Sequence, residues 1–90
     1  MDGKKIIKEA CDSLRFDQMV LSNACRIYEM AVKNGHNKKH QTVPLAAGCL
    51  YFHCKSTGKP ITLSKLVDVV PVDSEEITVI YNELKKEALY

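Results

Sequence analysis

The sequence has little excess charge of either sign. Thirteen Lys and Arg stand against eleven Asp and Glu, a formal net charge of +2. So small a balance excludes arguing nucleic-acid binding from composition, and any such argument must rest on where the basic residues lie. Long apolar runs are also missing. The longest, from Val43 to Phe52, is about half of the roughly 20 residues that a membrane-spanning helix needs. The start, Met1-Asp2-Gly3-Lys4-Lys5-Ile6, has neither the continuous apolar stretch nor the cleavage site of a secretory signal. There is no glycine-rich phosphate loop, no Cys-x-x-Cys pair, no low-complexity segment and no internal repeat. With 90 residues the chain has room for one domain.

What is present is an ordinary globular balance, 46% apolar and 27% charged. A domain of this size buries roughly 60–65% of its unfolded surface, enough for one core without staples. Cys11, Cys25, Cys49 and Cys54 sit inside apolar helical segments. Buried free thiols of an intracellular protein fit them better than a disulfide framework.

Periodicity predicts five helices. Asp2 caps the first, along which Ile6, Ile7, Ala10, Cys11 and Leu14 follow helical spacing, with an end near Arg15 and Phe16. Asp17 caps the second, whose stripe is Val20, Ala24, Ile27, Tyr28 and Ala31, closed by Asn34-Gly35. Asn37 to Gln41 is polar and reads as a loop. The third helix begins near Thr42 or Val43, where Pro44 is tolerated in the first turn. From Leu45 to Cys54 it is apolar almost all round, so other helices must surround it. Gly58 and Pro60 mark the next turn. Thr62 caps a short fourth helix with Leu63, Leu66, Val67 and Val70 inward. Pro71 stops it, and Asp73 or Ser74 caps a fifth with Ile77, Ile80, Tyr81, Leu84 and Ala88 as its stripe. The tight Pro71-Val72-Asp73 connection has the layout of a helix-turn-helix, which helical hairpins without nucleic-acid partners share.

The stretch from Leu45 to Leu84 resembles the second half of a transcription factor IIB repeat. The marks are Cys49-Leu50-Tyr51-Phe52-His53-Cys54, then Gly58-Lys59-Pro60-Ile61-Thr62-Leu63, then Glu76, Ile77 and Tyr81. Residues Ile6 to Gly35 agree in helix number and spacing. The resemblance implies an all-α, five-helix, cyclin-like bundle with the third helix, about Val43 to Cys54, central. It also implies that residues 1–90 are one repeat of a longer two-repeat protein, nearer the family's first repeat. The implied function is a general transcription initiation module, not an enzyme. It would be a monomer away from membranes, nuclear or, in a source without a nucleus, simply intracellular, docking on the TATA-binding protein, promoter DNA and RNA polymerase. A cyclin-fold adaptor that binds only protein is the alternative. The sequence departs from the family at Lys38-Lys39-His40, where a Gly-Arg pair is usual, and at His53, where a small residue is usual.

Basic residues gather around helix starts: Lys38, Lys39 and His40 before the third helix, then Lys55, Lys59 and Lys65 around the fourth. Such positions suit DNA phosphates, and the plain alternative is a solvated surface. Thr78, Val79 and Ile80 hold the positions where the family's second repeat often carries Arg or Lys facing DNA. They offer no long donor to base edges. His36 with His40, and Cys49 with His53, have i, i+4 spacing. Gly35 interrupts the helix before the first pair, so the expectation is no metal and no cofactor, with Cys49 in the core and His53 partly buried. No catalytic residues are expected. Cys54 and His53 point about 100° apart on a helix, Asp68 lies on a wet face, and Glu75-Glu76 read as helix-start electrostatics.

Overall fold

The computed structural model describes residues 2–59 and 61–87. Local chemistry sets most of the helix ends. Asp2 Oδ1 accepts from the Lys4 amide at 3.0 Å and opens α1 (Gly3–Leu14). Asp17 Oδ1 accepts from the Val20 amide at 3.1 Å and opens α2 (Gln18–Lys33). A one-turn helix, α3 (His36–Lys39), follows directly. The central α4 is Thr42–Thr57. Thr62 Oγ1 accepts from the Lys65 amide at 3.1 Å and opens α5 (Leu63–Val69). Finally α6 is Ser74–Glu87, with Glu75 and Glu76 in its first turn and Lys85 and Lys86 in its last, both the signs its dipole favours. Pro60 and Ala88 lie outside the described residues.

Two ends close with a left-handed residue. Arg15 takes φ 60 after α1, and the Phe16 amide donates back to the Cys11 carbonyl at 2.9 Å. Gly58 takes φ 74 after α4, and the Lys59 amide donates to the Cys54 carbonyl at 2.9 Å. Both satisfy carbonyls that the helix leaves without partners.

No strand occurs among the described residues. The helix without a wet face is indeed the centre, since α4 packs against all five others. Its two flanks serve different clusters. Ala46, Ala47, Leu50 and Cys54 join Ile7, Ala10 and Cys11 of α1, Val20 and Ala24 of α2, Leu66 and Ile77. On the other flank Leu45, Cys49 and Phe52 join Ile27, Ala31, Ile80 and Leu84. Leu50 and Phe52 therefore pack on opposite sides, as an all-round apolar helix requires. At Gly48 α6 comes so near that an added Cβ would lie 2.8 Å from Ile80 Cβ.

One expectation needs correction. Asn37 to Gln41 is not a plain loop, because residues 36–39 form α3 and raise the helix number among the described residues to six. Gly35, at φ 89, turns the chain after α2 and starts this new turn. His36 and His40 consequently stay one helical turn apart, and the His40 amide donates to the His36 carbonyl at 3.0 Å.

Candidate functional site

The basic residues of the expected phosphate surface fall at two ends of α4. Sixteen residues at 1.5 Å each make a helix of about 24 Å. Lys38 and Lys39 are exposed on α3 at its start. Lys55, Lys59 and Lys65 are exposed around its far end. Lys59 and Lys65 border a shallow groove with Leu14, Arg15, Phe16, Asp17 and Val20. Arg15 is a cation that sequence reasoning missed. Its only signal there was its position at the end of the first helix, which gave no hint that α5 would lie beside it. Asp17 borders the same groove, and Asp68 an adjoining one with Arg15 and Lys65, so this end is of mixed charge.

Lys55 takes a different direction. Its Nζ lies 5.9 Å from the centre of the Tyr51 ring. Tyr51 meets Tyr81 edge-on at 5.3 Å, and Lys85 Nζ lies 6.0 Å from the Tyr81 ring centre. These contacts are at the limit of cation–π range. They form a lysine–tyrosine–tyrosine–lysine row across α4 and α6.

His40 does not share the outward orientation of Lys38 and Lys39. Its Nε2 lies 3.0 Å from Glu83 Oε1 on α6, and its ring is nearly parallel to that of His36, 6.5 Å away. His36 is 2% exposed. Its Nε2 lies 2.7 Å from Glu87 Oε2 and its Nδ1 3.2 Å from Glu83 Oε1. The second approach is close in distance but off the hydrogen-bond direction, and Nδ1 is left without a hydrogen-bond partner. Burial works to raise the Glu83 carboxyl pKa, but the His40 hydrogen bond and the charges of His40, Lys39 and His36 outweigh it and hold it below its usual value.

The other pair considered as ligands stands apart from this cluster. Cys49 is wholly enclosed between α2, α4 and α6. His53 is 3% exposed, more deeply buried than expected. Burial, aided by the nearby Lys59 charge, pushes its pKa below the usual imidazole value. Burial also raises the thiols: Cys11 to about 12, Cys54 to about 11 with Lys59 opposing, and Cys25 and Cys49 upward as well. Thiols so placed carry almost no thiolate at neutral pH and make poor nucleophiles. No helix among the described residues is long and apolar enough to cross a membrane.

A helix enclosed by its neighbours in this order defines a helical repeat of the cyclin type. The chain belongs to the transcription factor TFIIB repeat family, whose model matches residues 1–87. It is 31% identical over 64 residues to the transcription initiation factor IIB of Pyrococcus furiosus, and to that of Pyrococcus woesei to the same degree. Each alignment covers 71% of this chain and 21% of the relative, so the chain spans about a fifth of the length of the curated relatives it matches. No solved structure matches it significantly.

Proposed function

We propose that this chain is one repeat of a general transcription initiation factor, and that it docks on the complex of TATA-binding protein with promoter DNA and on RNA polymerase. The observation that carries this reading is the family match across residues 1–87, joined to lysines exposed at both ends of the central helix. The module works by assembly and not by catalysis: its thiols are enclosed or weakly ionised, and Glu75, Glu76 and Asp68 are exposed. It acts as a monomer at the DNA, in the nucleus where the cell has one. Lys38 and Lys39 serve one stretch of phosphates, and Lys55, Lys59 and Lys65 another. His40, turned toward Glu83, contributes less than the lysines. Thr78 and half-exposed Val79 on α6, with Ile80 buried, leave base edges unread, so contact is through the backbone and has little sequence preference.

The separation of the lysines favours a second reading, a cyclin-fold adaptor that binds only protein. Carboxylates beside Arg15 and Lys65 weaken that end as a phosphate surface, and a helical groove can serve a partner's helix instead.

A salt titration of binding to two unrelated duplexes separates the readings. Each phosphate neutralised steepens the slope of log affinity against log salt by about 0.9. Replacing Lys38 and Lys39 by Gln should flatten the slope by about two, and replacing Lys59 and Lys65 should do the same. Slopes unchanged in both double variants would remove DNA from the mechanism and leave the adaptor.

A further inference from the structure

The cluster beneath α3 has a feature that phosphate binding does not use. Glu87 is fixed from two sides, by Asn34 Nδ2 at 3.3 Å on Oε1 and by His36 Nε2 at 2.7 Å on Oε2. That contact assigns the Nε2 hydrogen of His36 to Glu87. A neutral His36 then carries on Nδ1 a lone pair that is buried and without a hydrogen-bond partner, 3.2 Å from Glu83 Oε1 but off the line between them. A buried lone pair left unpaired beside a carboxylate oxygen costs free energy that a cation held by both atoms would relieve. His40 Nε2 reaches the same oxygen at 3.0 Å, and the ligand atoms of His36, His40 and Glu83 all lie within 4.8 Å of one another.

We propose that His36 Nδ1, His40 Nε2 and the Glu83 carboxylate bind one divalent ion of the zinc class, with Glu87 as the positioning residue behind His36. Bonds of about 2.0–2.1 Å in a tetrahedron place ligand atoms about 3.3 Å apart, close to two of the separations found. Two imidazoles and one carboxylate suit zinc, cobalt or nickel better than calcium or magnesium, which favour all-oxygen sets. A carboxylate on the far nitrogen of a ligating imidazole fixes ring orientation and tautomer. His40 also lines a hollow of about 220 Å³ with Glu75, Glu76 and Val79, where those two carboxylates add to the negative field. Three protein ligands leave a fourth position for water or for a partner's side chain. The ion would clamp α3 to α6, and hence the Lys38–Lys39 turn to the core. This inference is independent of the proposed transcription role.

The test is titration of the full chain with zinc by calorimetry and with cobalt by absorption. Expected is one ion per chain, a rise in melting temperature with zinc, and a tetrahedral cobalt spectrum without a thiolate charge-transfer band. His40→Gln and Glu83→Gln, both at partly exposed positions, should abolish saturable binding while keeping the helical circular dichroism of the parent. Glu87→Gln should weaken affinity about 10–100-fold with the cobalt spectrum retained. Absence of saturable binding would overturn the proposal and leave a proton as the only cation in the cluster. Binding of equal affinity in His40→Gln and Glu83→Gln, or a thiolate band, would overturn it in favour of the cysteines.

Discussion

Gly48→Ala tests the close approach of α4 and α6. Alanine is about 1 kcal/mol better than glycine inside a helix, so without crowding the substitution would stabilise. Here the new methyl would collide with the Ile80 side chain, whose Cβ would be 2.8 Å away. That atom is joined directly to the α6 backbone and cannot turn aside, so the helices must part. Overpacking of this kind costs typically 1–3 kcal/mol. Against the gain in propensity, the net should be a loss of up to about 2 kcal/mol. For a domain of this length that lowers the melting temperature by up to roughly 15 °C. Urea unfolding followed by circular dichroism reads the change directly, with an unchanged denaturant slope showing that the unfolded state is the same. A double-mutant cycle with Ile80→Ala adds a stricter condition. Removing Cγ2 relieves part of the clash, so the double variant should lose about 1 kcal/mol less than the sum of the singles. If Gly48→Ala proved more stable than the parent by the full propensity gain of about 1 kcal/mol, the close contact would be refuted.

Other consequences are open to simpler measurements. His53 is held neutral by burial and by Lys59, so the unfolded chain binds its proton more readily than the folded one. Its contribution to stability should be fully present above about pH 6.5 and be lost as the pH falls from there toward its lowered folded value; denaturation at a series of pH values should show this slope, reduced in His53→Gln. Thiol labelling should reach the partly exposed Cys25 first, and Cys11, Cys49 and Cys54 only as the chain opens; mass measurement after timed alkylation would contradict the core if Cys49 were modified as fast as Cys25.

The parts legible in the sequence were those set by local chemistry. Asp2, Asp17 and Thr62 cap their helices because a short side-chain oxygen reaches amides two or three residues on. The all-round apolar run from Leu45 to Cys54 announced its enclosure, since no other environment suits it. The turn at residues 36–39 was not legible. His36-Asn37-Lys38-Lys39 offers no apolar stripe, and one ring of the turn is buried against Glu83 and Glu87 on α6, 47 and 51 residues away. Grouping of charges failed for a related reason. Exposure of Lys38, Lys39, Lys55, Lys59 and Lys65 could be read from their neighbours, but their division between two ends of α4, the addition of Arg15 and the inward turn of His40 depend on how helices pack. His53 lies deeper than expected because the flank of α4 that stays partly wet carries Tyr51 and Lys55, on the opposite side of the helix from His53.

Formation of a ternary complex tests the proposed function most directly. The full chain would be titrated into promoter duplex alone and into the same duplex carrying the cognate TATA-binding protein, with retardation on a native gel as the readout. The proposed role predicts a slower complex with the protein-bound duplex at concentrations that leave free duplex unshifted, because protein contacts add to weak phosphate contacts held at high local concentration. Equal affinity for free and protein-bound duplex, or no slower complex at concentrations where the free duplex is already bound, would contradict it.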